Sequence, residues 1–135
     1  MKGEAHAFPV RVYYEDTDAA GIVYYANYLK FAERARTEWL RGLGLDHPAL
    51  LALHGGHFAV RRCAADYRRP ARLDDLLRVE SRLLRAKGAR LTLAQDVRHE
   101  DRGLLVAIEV ELVFLTLALR PARLPDALLL RLEVA

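Results

Sequence analysis

The chain has few of the side chains that several hydrolase mechanisms use. Its 135 residues include one cysteine and one serine, Cys63 and Ser81. A single cysteine cannot form an internal disulfide or a cysteine-rich metal cluster, and a free cysteine is most often a small buried residue. Ser81 lacks the surrounding Gly-x-Ser-x-Gly sequence of a nucleophilic serine. The sequence therefore argues against a serine-nucleophile mechanism and predicts that Cys63 is buried.

Long apolar runs are also missing. No stretch reaches the roughly 18 apolar residues of a membrane-spanning helix, and residues 1–9 lack the apolar core of a signal peptide. The sequence therefore predicts a cytoplasmic protein without an integral membrane segment. The chain length and a 53% share of hydrophobic residues are typical of one globular domain, which we expect to extend over residues 1–135.

The charged residues do not form a recognised nucleic-acid motif. The formal net charge is +3, and a basic surface attracts anions such as nucleic acid, acidic lipids or the phosphates of a ligand. Because no motif of a nucleic-acid-binding fold accompanies this charge, we expect no nucleic-acid partner. His47, His54 and His57 lie close together in the sequence, but they lack the spacing of metal ligands, so we expect no metal site.

Hydrophobic periodicity predicts an α+β fold. Residues Ala7–Glu15 alternate with a period of two, as in a half-buried strand, and residues Tyr24–Leu43 follow the 3.6-residue period of an amphipathic helix. Further strands are predicted at 57–67, 73–85, 90–99 and 104–117, with short helical segments at 48–53 and 128–130. One strand, a long helix and four more strands are typical of a five-stranded antiparallel sheet wrapped around one helix.

A sheet of this kind leaves part of its surface uncovered. One helix covers one face, and the two edge strands keep unpaired backbone groups that promote association with another chain. Because most assemblies of identical chains are closed and symmetric, the sequence predicts a homodimer or a homotetramer.

Candidate chemistry is concentrated between the first strand and the long helix. Asp18 lies in a loop of small residues that includes Gly21, and Tyr25 follows at the predicted start of the helix. Free amide groups at a helix N-terminus stabilise negative charge on a carbonyl oxygen. The carboxylate of Asp18 is near enough in sequence to act on the carbonyl carbon or on an attacking water. The alternative is structural, because aspartate and glycine are also ordinary turn residues.

The same stretch resembles a known family. Residues Tyr14–Phe31, with the sequence YEDTDAAGIVYYANYLKF, and residues Glu33–Arg41, with ERARTEWLR, resemble the YbgC-type branch of the hotdog acyl-CoA thioesterases, which is related to 4-hydroxybenzoyl-CoA thioesterase. The resemblance continues through Asp66-Tyr67 and Pro70-Ala71 and covers most of the chain. An aspartate followed by two residues, a glycine and an aromatic helix start is fairly specific to this group.

The resemblance implies a hotdog fold and hydrolysis of acyl-CoA to a free acid and CoA, with no cofactor because CoA is part of the substrate. It implies that Asp18 acts as nucleophile or general base, that the Tyr25 amide polarises the thioester carbonyl, and that the active site lies at a dimer interface. By analogy with the family, Lys87 and Arg90 are candidates to bind the CoA phosphates. Four other residues are equally basic candidates: Arg61, Arg62, Arg68 and Arg69.

Two features of the resemblance leave open the class of acyl substrate and the choice between a catalytic and a binding role. YbgC-type members commonly carry histidine where this chain has Tyr25, whereas the hydroxybenzoyl-CoA branch carries tyrosine. Because tyrosine is a poor base at neutral pH, more of the proton transfer falls on Asp18. YbgC-type proteins are also associated with the Tol-Pal machinery of the cell envelope, so a non-catalytic binding or scaffold role is the alternative function.

Overall fold

The computed structural model describes residues 5–134. The five strands are β1 (His6–Arg11), β2 (Gly56–Tyr67), β3 (Leu76–Lys87), β4 (Arg90–His99) and β5 (Gly103–Thr116). The helices are α1 (Asn27–Gly42), α2 (His47–His54) and α3 (Asp126–Val134), and a short 3-10 turn occupies Tyr14–Asp16. The strands form one antiparallel sheet in the order β1-β3-β4-β5-β2, which confirms the predicted fold class. The ends of the predicted domain, 1–4 and 135, lie outside the described residues, so its extent stays a prediction.

The α1 helix packs on one face of the sheet because its apolar residues recur every three or four positions. The buried stripe consists of Tyr28, Phe31, Ala32, Ala35 and Trp39. Alternate residues of the strands complete the core, among them Val79 of β3 and Val97 of β4, which are fully buried. The sheet therefore wraps around one long helix, as the periodicity predicts.

The C-terminal tail closes one end of this core. Leu128 and Leu132 of α3 and Leu124 before it are buried in one cluster with Trp39. The backbone also anchors the tail, since the Leu124 N–H donates to the Gly88 carbonyl over 2.9 Å. The helical segment predicted at 128–130 is thus part of a longer helix. Within residues 5–134, neither this helix nor any other is long and apolar enough to cross a membrane.

The first strand and the long helix are shorter than the sequence predicts. The strand ends at Arg11, and α1 begins at Asn27. The reason is Asp16, whose carboxylate accepts hydrogen bonds from the Tyr13 N–H over 2.8 Å and from the Asn27 side-chain amide over 3.1 Å. These bonds fold the chain into a turn, although the alternation of apolar residues in the sequence continues beyond Arg11. The alternation does not reflect burial there, because the side chain of Tyr14 is 82% exposed.

The β2 strand is a long edge strand, which pairs with β5 on one side only. The strand order puts the 12-residue β2 at one side of the sheet and the six-residue β1 at the other. Most side chains from Val60 to Tyr67 are exposed. Cys63 is among them, so the prediction that it is buried is wrong, because an edge strand has a neighbouring strand on one side only. A long exposed edge promotes pairing with a strand of another chain.

Candidate active site

The loop that carries Asp18 is a hydrogen-bonded turn. The Asp18 N–H donates to the Ile22 carbonyl over 2.9 Å, and the Ala20 N–H donates to Oδ1 of Asp18 over 2.8 Å. Gly21 completes the turn with a φ of +80°, a conformation that suits glycine. Asp18 is exposed, and its Oδ2 accepts no hydrogen bond within residues 5–134. One carboxylate oxygen therefore holds the turn while the other is available for chemistry.

Asp16 has a different role from Asp18, although it lies only two residues earlier. Its side chain is 7% exposed and is held by the two hydrogen bonds that shape the preceding turn. Its backbone carbonyl accepts from the Tyr24 N–H over 2.9 Å. Asp16 therefore fixes the start of α1 against the loop that carries Asp18.

Tyr25 lies in the turn immediately before α1. The prediction that it occupies the start of the helix is wrong, because the Asn27 N–H turns back to the Tyr24 carbonyl over 2.8 Å and the helix begins only there. The Tyr25 N–H donates to no acceptor in the described part of the chain. A backbone amide without an internal partner is available to a ligand oxygen.

A cleft of about 250 Å³ opens beside Tyr25. Its lining consists of Ile22, Val23, Tyr25, Tyr28, Tyr67, Arg68, Arg69 and Pro70. The rings of Tyr25 and Tyr67 meet edge to face with centroids 6.0 Å apart, and Tyr28 lies 5.8 Å from Tyr67. Asp18 does not line the cleft but lies on the loop that leads into Ile22. The cleft can therefore hold an apolar group between aromatic walls, next to the loop of Asp18.

Tyr67 restrains the backbone of Tyr25. Its hydroxyl donates to the Tyr25 carbonyl over 3.2 Å. Burial raises the pKa of Tyr67, and the neighbouring Cys63 and Tyr25 raise it further, so the phenol keeps its proton at neutral pH. Burial likewise raises the pKa of Tyr28, whose hydroxyl accepts from the Ala71 N–H over 2.9 Å. Tyr28 therefore connects α1 to the segment that follows β2, and Tyr67 connects the end of β2 to the turn before α1.

Asp75 holds the wall of the cleft. Its carboxylate accepts from the Arg72 N–H over 2.8 Å and from the Arg102 guanidinium, and His99 lies 3.6 Å away. Burial acts to raise the pKa of Asp75, but the hydrogen bonds from the Arg72 N–H and the Arg102 guanidinium, together with the charges of Arg102 and His99, outweigh it and lower the pKa. Arg102 also donates to the Pro70 carbonyl over 3.0 Å. The ion pair therefore fixes the segment that lines one side of the cleft.

Replacing Asp75 by Asn is expected to lower the free energy of unfolding at pH 7 by about 2 kcal/mol, because a hydrogen bond to a charged group contributes about 1.5–3 kcal/mol. The lowered pKa sets the pH dependence. The ionised carboxylate contributes fully above its unfolded pKa of about 4, and the contribution is lost as the pH falls through the lower folded pKa. Urea unfolding of both proteins from neutral to acid pH measures the difference; a gap that persists at acid pH would contradict this role.

Lys87 and Arg90 lie directly opposite each other in the β3–β4 hairpin. They line a second cleft, of about 750 Å³, together with Arg61 and Arg85. Glu111 supplies negative charge in this cleft, with carboxylate oxygens 2.5 Å from Arg61 and 3.9 Å from Arg90. Four cations against one carboxylate leave a positive cleft that attracts anions.

The structure does not bring Asp18 and Lys87 together within one chain. Ile22, in the Asp18 loop, pairs with Arg72 shortly before β3, whereas Lys87 is the last residue of β3. Because β3 has 12 residues and a strand rises about 3.3 Å per residue, the two ends of β3 are about 36 Å apart. The candidate carboxylate and the candidate phosphate ligands therefore lie at opposite ends of the sheet.

His47, His54 and His57 do not form a set of metal ligands in the described residues. The rings of His47 and His57 have centroids 5.6 Å apart. Among residues 5–134, no three histidine, cysteine, aspartate or glutamate side chains are grouped so that they could hold a metal ion.

Comparison with known proteins identifies the family. The model of the thioesterase-like superfamily matches residues 12–132. The chain belongs to this superfamily. It is 42% identical over 122 residues to the acyl-CoA thioester hydrolase YbgC of Escherichia coli O6:H1, with 90% of each chain covered. The resemblance to YbgC-type thioesterases and the prediction of a thioesterase are confirmed.

Solved structures share the fold of this thioesterase family member. A probable thioesterase from Bartonella henselae is 38% identical, with a TM-score of 0.83 over 90% of this chain and 99% of that chain. A mutant 4-hydroxybenzoyl-CoA thioesterase complexed with 4-hydroxybenzoyl-CoA has a TM-score of 0.89 over 96% of this chain and 99% of that chain. At 19% identity, this second similarity shows the fold alone. The predicted hotdog fold is confirmed.

Tyr67 is a residue of the candidate site that sequence reasoning missed. It lies in β2, where Phe58 faces inward, so a regular alternation predicts that the even-numbered residues face inward. A bulge between Val60 and Arg62 shifts the register, so that Ala65 and Tyr67 face α1 instead. The signal available in the sequence is the position of Tyr67 within the segment that carries the family resemblance.

Proposed function

We propose that this chain hydrolyses acyl-CoA thioesters to a free acid and CoA. The observation that carries the proposal is that three features lie close together between Asp18 and Tyr28. They are the Asp18 carboxylate with one free oxygen, the Tyr25 amide without an internal acceptor, and the aromatic cleft. An apolar cleft suits an acyl group, a free amide suits its carbonyl oxygen, and a carboxylate can activate water. The 42% identity to an acyl-CoA thioester hydrolase supports the same reaction.

In the proposed mechanism, the thioester carbonyl oxygen accepts a hydrogen bond from the Tyr25 N–H. Asp18 then acts in one of two ways. As a general base it takes a proton from a water whose oxygen attacks the carbonyl carbon; as a nucleophile it attacks that carbon itself, and water hydrolyses the resulting anhydride. In both routes the C–S bond breaks, and the sulfur leaves with the electron pair and gains a proton. One oxyanion donor of this kind contributes roughly 100- to 1,000-fold in rate.

The exposed edge strand supports a dimer. Two copies of β2, paired antiparallel about a two-fold axis, would form one continuous sheet and cover side chains between Val60 and Tyr67 that are exposed in one chain. A homodimer through β2 is therefore the proposed assembly. The homotetramer and the cytoplasmic location stay predictions.

This pairing would complete the site with cations of the second copy. In one chain, Tyr67 ends β2 beside Tyr25, and the other end, Gly56, pairs with β5 near the basic hairpin. An antiparallel partner places its own Gly56 end opposite Tyr67. Because β4 is two strands from β2 and strands are about 4.8 Å apart, Arg90 of the second copy would be roughly 10 Å from its β2 edge. We therefore propose that Lys87 and Arg90 bind the CoA phosphates of the opposite site.

Release of free thiol tests the proposed reaction. The wild-type chain is incubated with short, long and aromatic acyl-CoA thioesters, and the liberated CoA is measured with a thiol reagent. At least one thioester is expected to be hydrolysed with a kcat/KM above about 10⁴ M⁻¹s⁻¹, within the usual range of enzymes. Absence of turnover across the whole panel would contradict hydrolysis and would favour the binding role.

A further inference from the structure

The turn that follows β5 carries two strongly exposed leucines. Leu117 is 72% exposed and Leu119 is 67% exposed. The turn is ordered, because the Leu119 N–H donates to the Thr116 carbonyl and the Thr116 N–H donates to the Arg120 carbonyl, each over 2.9 Å. Leu119 has a φ of +61°, in the left-handed region that residues other than glycine rarely adopt. A fixed backbone therefore presents two apolar side chains to the surroundings.

This turn lies between the edge strand and the basic hairpin. The strand order is β4-β5-β2, and β5 ends where Thr116 pairs with Gly56 of β2. On the other side, Val113 of β5 pairs with Arg90, and Pro121, just after the turn, lines the same basic cleft. A molecule reaching from the β2 edge to the basic cleft would cross this end of β5.

We propose that Leu117 and Leu119 form an apolar subsite for the pantetheine arm of an acyl-CoA bound to the opposite copy. The proposal rests on the proposed function and its two-fold pairing. With the thioester at Tyr25 of one copy and the phosphates at the hairpin of the second, the arm crosses the second copy's sheet from β2 to β4, which lie two strand spacings or roughly 10 Å apart. It therefore passes the end of the second copy's β5, where the two leucines are exposed.

The chemistry of the arm fits this surface. Pantetheine carries a gem-dimethyl group in its pantoyl part, at the end of the arm that is next to the phosphates, and burial of methyl groups against leucine side chains is favourable in water. The cations on one side of the turn suit the phosphates, and the amide and carboxylate on the other side suit the thioester. The turn lies between these two polar sites and supplies the apolar contact that the arm needs.

A double variant with Leu117→Asn and Leu119→Asn tests the subsite, and asparagine tolerates the left-handed backbone at position 119. Kinetics are measured with one acyl group on CoA, on pantetheine and on N-acetylcysteamine, which lacks the gem-dimethyl group. KM is expected to rise roughly 10-fold for the CoA and pantetheine thioesters at unchanged kcat, because apolar contact with the arm is lost. KM for the N-acetylcysteamine thioester is expected to stay the same.

Leu130→Asn is the matched control, because Leu130 of α3 is 65% exposed and lies outside this turn. An unchanged KM for the pantetheine thioester, or an equal rise for all three thioesters, would overturn the subsite. Calorimetric binding of CoA and of pantetheine separates this outcome from failure of the proposed function. If the double variant binds CoA and pantetheine more weakly than the wild type does, the subsite is supported even if the wild type hydrolyses nothing. If the double variant and the wild type bind each ligand with the same affinity, the subsite is overturned in either case.

Discussion

The Asp18→Asn variant is expected to hydrolyse acyl-CoA with a kcat about 1,000-fold below that of the wild type. A positioned general base contributes roughly 10²- to 10⁴-fold, and an asparagine cannot replace it as base or as nucleophile. Asparagine retains an oxygen that can accept from the Ala20 N–H, so the turn is expected to persist. Because Asp18 is exposed, the unfolding transition should match that of the wild type. Thiol release at saturating substrate measures the change.

Asp101→Asn is the matched control for this variant. Asp101 is an exposed aspartate in the loop between β4 and β5, outside the proposed site, and its replacement is expected to leave kcat unchanged. If Asp18→Asn retained wild-type kcat, the carboxylate would serve the turn alone and the proposed mechanism would be excluded.

Replacing Asp16 by Ala is expected to lower the free energy of unfolding by about 3 kcal/mol. The change removes the charged acceptor of the Tyr13 N–H and of the Asn27 side chain, and a hydrogen bond to a charged group contributes about 1.5–3 kcal/mol. Since the Asp16 carboxylate also holds Asn27 at the start of α1, kcat is expected to fall with stability. Urea unfolding and thiol release on the same preparation measure both effects.

Asp16→Asn separates the loss of hydrogen bonds from the loss of charge. Asparagine keeps one acceptor oxygen, so this variant should unfold at a urea concentration between those of the alanine variant and the wild type. Equal stability of the alanine variant and the wild type would show that Asp16 does not anchor the loop.

Local patterns predicted most of the strands because side-chain burial alternates along them. The bounds of β4 agree with the prediction, since Leu91, Leu93 and Val97 are buried at every second or fourth position. Gln95 fills the remaining inward position, and it is satisfied by the Ala32 carbonyl and the Ser81 hydroxyl. The start of α1 could not be predicted in this way, because it depends on a side-chain hydrogen bond between residues eleven positions apart.

In the candidate site too, the residues grouped by local contacts could be predicted, and those grouped by strand pairing could not. Asp18 and Tyr25 could be proposed from one short stretch because the turn that holds Asp18 is made by neighbouring residues. The grouping of Lys87 and Arg90 with Arg61 depends on the register of three strands, which a single stretch of sequence does not specify. The separation of these cations from Asp18 depends on the sheet as a whole, and it makes the second copy part of the proposed site.

Mixed dimers test most directly whether Asp18 of one copy and the cations of the other act on the same acyl-CoA. One parent carries Asp18→Asn; the other carries Lys87→Glu and Arg90→Glu, which should raise KM by roughly 100-fold, since each charge-assisted hydrogen bond contributes about 1.5–3 kcal/mol. Differently tagged copies are mixed, and the dimers that carry both tags are isolated.

At low substrate concentration both parents are expected to be nearly inactive. In a mixed dimer, one of the two sites combines the unaltered Asp18 of one copy with the unaltered cations of the other, so about half of the wild-type activity should return. Activity no higher than that of the parents would contradict the proposed composite site.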